Sequence, residues 1–223
     1  MRRVPEPELM DEAEQACAYA QADFAEPNER FVGYFESLYP ELRTGSVLDL
    51  GCGPGDIVLR LASRNPGLVV HGIDGSGAML HFACERLHEA PALSGRVQFI
   101  EGILPGATLP LNAYDAVISN SLLHHLHDPA VFWEAVREAA APGAAILVMD
   151  LFRPGTEREA RGIVEQYAGN EPAVLQQDFF ASLCAAFEPD EIRAQLEAAG
   201  LGMLDVRTVS DRHVLVTGRL PPQ

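Results

Sequence analysis

Val47-Leu48-Asp49-Leu50-Gly51-Cys52-Gly53-Pro54-Gly55-Asp56 is the stretch that decides the fold. A short apolar run ends in three alternating glycines, and a helical pattern begins directly at Asp56. Glycines are needed where the backbone turns sharply and a ligand must approach with no Cβ in the way. In sheets of parallel strands, such a loop at the carboxyl edge is where nucleotide-like ligands bind.

Working outward, β-rich runs at residues 46–50, 68–73, 96–100, 114–119 and 144–150 alternate with helical patterns at 56–63, 78–89 and 130–140. The runs are apolar almost throughout, as expected of strands buried on both faces of a parallel sheet. Pro129 opens the last of these helices, and the turn Ala141-Pro142-Gly143 follows it. Beyond residue 150 the rhythm changes. Helices are expected at 157–168, 178–186 and 189–199, with Gly200 as the stop signal. Strands at 203–209 and 213–218, separated by Ser210-Asp211-Arg212, imply an antiparallel hairpin. Residues 6–39 read as two helices ahead of the first strand. The expected organisation is one domain: a helical lid over 1–44, a ligand-binding core over 45–150, a helical insertion over 151–200 and a hairpin over 201–219.

Composition narrows the partners. The 223 residues are 48% hydrophobic and 22% charged, the balance of a soluble globular domain. Sixteen basic against thirty-two acidic residues give a net charge of −16. That field repels phosphate backbones and anionic lipid, so neither a nucleic-acid nor a membrane partner is expected. No apolar run approaches a membrane span, and none follows Arg2-Arg3, so no secretion signal is expected and a cytoplasmic address follows by default. Cys17, Cys52, Cys84 and Cys184 are scattered, with no Cys-x-x-Cys pair, and read as reduced and mostly buried thiols. Oligomeric state stays open, a homodimer included.

The glycine spacing discriminates between ligands. Dinucleotide loops follow Gly-x-Gly-x-x-Gly, with the pyrophosphate on the helix N-terminus. Here the pattern is Gly51-x-Gly53-x-Gly55, and Asp56 takes the place of the third glycine. A carboxylate there disfavours pyrophosphate and suits a phosphate-free, positively charged ligand, with Asp49 as a second acidic group nearby. Asp74, in Gly72-Ile73-Asp74-Gly75-Ser76, ends the second strand about 20 positions after the loop, where an acid can accept from both hydroxyls of a ribose.

Asp49-Leu50-Gly51-Cys52-Gly53-Pro54-Gly55, Gly72-Ile73-Asp74, Tyr114-Asp115-Ala116-Val117-Ile118-Ser119-Asn120 and Pro142-Gly143 together make the chain similar to the class I S-adenosylmethionine methyltransferases. The resemblance covers roughly residues 45–150. It implies an α/β fold, a Rossmann-like seven-stranded sheet of order 3-2-1-4-5-7-6 with the last strand antiparallel. It also implies S-adenosylmethionine as cofactor, S-adenosylhomocysteine as product and a small-molecule methyl acceptor. Carried over by position, Asp49, Gly51, Cys52 and Gly53 line the methionine part, Asp74 holds the ribose, and Gly75 and Met79 flank the adenine. Asn120, Ser121 and Leu122 flank the sulfonium end. One departure stands out: after Gly102 the family usually has an Asp for the adenine amino group, and this chain has Ile103. Glu101 or the backbone of Ile103 and Leu104 is then left for that contact. Tyr19 resembles a lid contact.

For the acceptor, His124 and His125 in Ser121-Leu122-Leu123-His124-His125-Leu126-His127-Asp128 are candidate general bases, with packing around the cofactor as the alternative. The same stretch resembles ubiquinone-pathway O-methyltransferases, which carry a metal-linked Glu-His there. This chain has His124-His125 instead, so no metal is expected. Arg153, after the fifth strand, can clamp an acceptor carboxylate or phosphate, or form a surface ion pair. Arg212 and His213 read as turn residues. Two rival readings remain: a carboxy-S-adenosylmethionine synthase-like enzyme gripping its extra carboxylate with Arg153, Arg158 or Arg161, and a non-catalytic binding module. A nicotinamide enzyme is disfavoured by the glycine spacing.

Overall fold

The computed structural model describes residues 1–7, 19–20 and 24–222. Seven strands form one sheet in the order β3-β2-β1-β4-β5-β7-β6. β1 (Thr44–Leu50), β2 (Gly67–Asp74), β3 (Val97–Glu101), β4 (Tyr114–Asn120) and β5 (Ala140–Leu151) are parallel. β7 (His213–Arg219) runs antiparallel to both β5 and the edge strand β6 (Asp205–Thr208). This is the architecture expected from the sequence.

Strand alternation divides the core into two layers. In β1, Leu48 and Leu50 face the layer formed with α4 (Ala130–Ala139) and α7 (Pro189–Ala198). Val47 faces the other layer, with α1 (Ala25–Leu38), α2 (Asp56–Arg64) and α3 (Gly77–Glu89). Burial on both faces explains why these strands are apolar rather than alternating. Trp133 and Phe132 are fully buried in the first layer, where the Trp133 Nε1–H donates to Gln195 Oε1 at 3.0 Å and links α4 to α7.

The helical insertion is a pair, α5 (Glu157–Ala168) and α6 (Ala173–Ala185), packed with Leu151 in its own small core. A capping box at Thr156 and Glu159 starts α5. α6 begins five residues earlier than the sequence pattern suggests, because Pro172 stands at its start and residues 173–177 are uninterrupted helix formers. The turn expected at 141–143 is absorbed into β5 as a register irregularity, with Gly143 at φ 79°. β6 is shorter than expected, and Met203 before it is exposed. The first of the two N-terminal helices expected falls largely on residues 8–18 and 21–23, outside the described residues, as does Cys17. Cys52 and Cys184 are buried, whereas Cys84 is exposed, contrary to expectation. Among the described residues, no helix is long and apolar enough to cross a membrane.

α1 is fastened to the sheet by one hydroxyl. Tyr39, buried at the end of α1, donates to the carbonyl of Ile146 at 2.6 Å and accepts from Gly218 N–H at 3.0 Å. Replacing Tyr39 with Phe strips both bonds while keeping the ring, and should lower unfolding free energy by about 1–3 kcal/mol in urea titration. A loss under about 0.5 kcal/mol would show that the hydroxyl does not fasten α1.

Candidate active site

The carboxyl ends of β1, β2 and β4 converge on one cavity of about 520 Å³. Gly51, Gly53, Asp74, Gly75, Met79, Gly102, Ile103, Asn120, Ser121 and Leu122 all line it. A smaller adjoining pocket of about 170 Å³ adds Asp49 and Cys52 and shares Gly51, Gly53 and Asn120. The loop is built by backbone hydrogen bonds. The amides of Gly51 and Cys52 donate to the carbonyl of Ile73 at 2.8 and 2.9 Å. The Asp74 carboxylate accepts from Gly53 N–H and Ser76 N–H, each at 2.8 Å. Gly51 has φ 72°, and a Cβ there would meet Leu122 at 2.9 Å, so neither space nor conformation admits a larger residue.

On this side of the cavity, two buried oxygens have no partner among the described residues, Asp49 Oδ1 and Asn120 Oδ1. Asp49 is almost wholly buried, and burial, with the charge of Asp74 added, holds its pKa well above the usual carboxylate range. Orphaned acceptors of this kind call for a ligand that donates hydrogen bonds and brings positive charge. Asp56 is not one of them: its carboxylate accepts from Asn28 Nδ2 at 2.7 Å and Arg60 Nε at 2.8 Å, tying α1 to α2. Ile103 is half-exposed at the cavity, and Leu104 lines it too, whereas Glu101 stands outside the lining with its carboxylate near Gly77. The backbone option for the missing adenine contact is therefore the one the geometry keeps.

Tyr19 lines both pockets, with Phe24 against it at a ring separation of 4.7 Å. Burial, then Asp74, Asp150 and Asp56, push its hydroxyl up to about 12, so it stays a neutral hydrogen-bonding group.

The far wall is built from distant parts of the chain: His124 and His125, α5 and α6 residues Tyr167, Asp178, Phe179 and Ser182, and Arg212 and His213. His124 is buried; its Nδ1 lies 2.5 Å from Asp150 Oδ1, at the end of β5. Burial works against charge on that ring, but Asp150 and then Glu6 outweigh it and raise its pKa. His125 goes the other way, pushed down to about 3 by burial and by His124. A ring with so low a pKa is a weak base, and His124 is buried and committed to Asp150, so neither is a free imidazole.

Arg153 forms an ion pair, as one of its two expected roles had it, but from a buried position rather than at the surface. It is buried, and its guanidinium bonds the carbonyls of Met1 (2.9 Å) and Ala186 (2.8 Å) and the carboxylates of Glu188 (3.1 Å) and Glu191 (3.0 Å). It lines no part of the cavity, and neither do Arg158 and Arg161. Among the lining residues that are described, Arg212 is the single arginine or lysine, its guanidinium carbon 3.3 Å from the Tyr167 ring centroid. Sequence reading passed over Arg212 and His213 because they sit in a hairpin turn; only the insertion folding back onto that turn brings them to the site. The bond from Tyr167 Oη to Asp211 at 2.9 Å fixes that approach.

A seven-stranded sheet of this order, with a glycine cradle that disfavours phosphate and an acid closing the second strand, is the arrangement of the class I S-adenosylmethionine-dependent methyltransferases, which this chain resembles. Residues 48–146 match the family described as a methyltransferase domain. An uncharacterized methyltransferase of Mycobacterium tuberculosis is 31% identical over 127 residues, 57% of this chain and 60% of that protein. A trans-aconitate 2-methyltransferase of the same species is 33% identical over 138 residues, 61% of this chain and 48% of that protein. The chain thus spans about three fifths or less of these relatives. A solved S-adenosylmethionine-dependent methyltransferase of Aquifex aeolicus shares the fold, with TM-score 0.64 and 18% identity over 94% of this chain and 98% of that one. The residues fit S-adenosylmethionine: glycines that leave room, orphaned acceptors for an ammonium group, and carboxylates beside a cation.

A cation seated beside Asp49 favours the ionised carboxylate, so the raised pKa falls on binding and a proton is released. Affinity for S-adenosylmethionine should rise with pH until the unliganded carboxyl has ionised. Calorimetric titrations in two buffers of different ionisation enthalpy should report the release, and Asp49→Asn should abolish it. Equal heats in both buffers would show that Asp49 does not change protonation.

Proposed function

We propose that this chain transfers the methyl group of S-adenosylmethionine to an oxygen of a small, anionic acceptor. The observation that carries the reading is the single cavity, which runs from the glycine loop to a wall carrying Arg212 on Tyr167. Its volume lies within the range of small-molecule sites. An arginine stacked on an aromatic ring presents its planar fork to a carboxylate. The trans-aconitate 2-methyltransferases among the relatives, named for a carboxylate substrate, support an acidic acceptor. The carboxy-S-adenosylmethionine synthase-like alternative needs an arginine of the insertion in the site, and Arg153, Arg158 and Arg161 are all elsewhere.

When bound, the cofactor supplies a methyl carbon already activated by a sulfonium. What remains for the protein is placement and exclusion of water. Asp49 and Asn120 hold the polar end of the cofactor, and Asp74 holds the loop and the ribose. Tyr19 closes over the pocket, and α5 and α6 wall off the acceptor. Arg212 and His213 orient the acceptor from the hairpin.

Calorimetry with S-adenosylhomocysteine should show micromolar binding, weakened about 100-fold by Asp74→Ala, which removes charge-assisted hydrogen bonds worth about 1.5–3 kcal/mol each. Unweakened binding would refute the ribose role. A panel of small carboxylic and hydroxy acids, assayed for S-adenosylhomocysteine formation, should contain the acceptor class. With it, Arg212→Ala should raise KM roughly tenfold or more and leave cofactor affinity unchanged. Methylation of neutral or cationic acceptors alone would overturn the anionic reading.

A further inference from the structure

Glu6, which no motif singled out, reaches from the N-terminal segment to lie against His124 and His125, behind the acceptor wall. Its side chain is 9% exposed, against 3% for His124 and 13% for His125. Glu6 Oε1 lies 3.5 Å from His124 Nε2 and 3.3 Å from His125 Nδ1. Neither contact is a hydrogen bond: Glu6 Oε1 and His125 Nδ1 are both buried without a partner. The three donor atoms all lie within 4.8 Å of one another. We propose that Glu6, His124 and His125 bind a divalent transition-metal ion of the zinc type at the acceptor end of the cavity.

Three lines of chemistry support this assignment. First, the spacing fits. With ligand bonds of about 2.0–2.1 Å in a tetrahedral site, neighbouring donors stand about 3.3 Å apart, close to both separations here. Second, the outer shell is in place. The His124 Nδ1 contact with Asp150 turns Nε2 toward Glu6, the carboxylate–histidine–metal arrangement that fixes ring orientation. Asp150 is itself held, accepting from the amides of Leu123 at 2.7 Å and Leu151 at 2.6 Å. The other Glu6 oxygen accepts from Ser182 Oγ at 3.4 Å, and the His125 ring is hydrogen-bonded to the carbonyl of Pro7. Third, the ligand set is that of a working rather than a purely structural centre. Two imidazoles and one carboxylate leave a fourth position open, and His124 and His125 both line the cavity.

An acceptor oxygen in that fourth position would lose its proton to solvent more readily. The O–CH3 bond then forms as the S–CH3 bond breaks, and the sulfonium becomes a neutral thioether. This role explains how two histidines ill suited to be free bases can still serve the transfer. It rests on the methyltransferase reading above; metal binding itself does not.

The test strips the purified protein with a chelator and titrates Zn²⁺ against a chromophoric competitor, with Mg²⁺ as the contrasting probe. One equivalent of Zn²⁺ should bind per chain, and Mg²⁺ should not displace it. Glu6→Gln and His125→Gln should each weaken binding by more than about 100-fold, beyond the 10–100-fold that loss of an outer-shell partner costs. S-adenosylhomocysteine binding, measured on the same samples, reports whether each variant is folded. No Zn²⁺ bound by the stripped wild type, or equal binding by both folded variants, would overturn the site. Zn²⁺ bound without S-adenosylhomocysteine binding would instead overturn the methyltransferase reading and leave the metal site standing.

Discussion

The last two residues of β2 hold four backbone amides of the loops that follow β1 and β2. Ile73 takes Gly51 and Cys52 on its carbonyl, and Asp74 takes Gly53 and Ser76 on its carboxylate. The loop after β1 and the loop after β2 are therefore one rigid piece, pinned to the edge of the sheet. Everything on the cofactor side follows from that pinning. The glycines must turn with positive φ to present their amides, Leu122 can then pack against Gly51, and Asn120 is left pointing an unsatisfied oxygen into the same space. The loop is held before any ligand arrives, so binding need not supply the ordering free energy of its backbone.

Charge is distributed unevenly around the cavity, and the asymmetry is functional. On the cofactor side Asp49 is buried beside Asp74, an arrangement that is costly without a cation. On the acceptor side two arginines are present but committed to the fold. Arg3 donates to the carbonyls of Ala185, His124 and Leu126 and stacks 3.9 Å over Phe187. Arg153 binds Met1, Ala186, Glu188 and Glu191. Both hold the N-terminal segment against the α6–α7 connection. That leaves Arg212, whose stacking on Tyr167 fixes its plane but keeps it at the cavity, as the arginine the proposed acidic acceptor would meet.

The cofactor half was legible in the sequence because its determinants are local. Strand, glycine turn and helix are contiguous from Val47 to Asp56, and Asp74 follows one strand later, so spacing alone places them. Strand order beyond β5 came from the family resemblance together with the short Ser210-Asp211-Arg212 connection. The acceptor half was not legible, because its neighbours are far apart in the chain. Nothing near Arg153 shows that Met1 and Glu191 will surround it, and a turn residue such as Arg212 gives no sign that α5 will fold over it. Glu6 is the extreme case: its partners His124 and His125 meet it only after the whole sheet has formed.

That difference bears on how such a protein acquires its acceptor. The cofactor cradle occupies residues 47–122, where any change must preserve amides and glycines that serve one another. The acceptor wall draws single side chains from residues 124–125, 167–182 and 212–213, backed by Glu6 and Asp150 behind the histidines. A substitution at Tyr167, Arg212 or Ser182 alters the wall without touching the Asp74 pin. Two halves coupled so loosely can diverge separately, and the family match in sequence ends at residue 146, before most of the wall begins. The exceptions are His124 and His125, which sit on the cofactor half's own chain and face the wall. Any chemistry that joins the two halves has to pass through that pair.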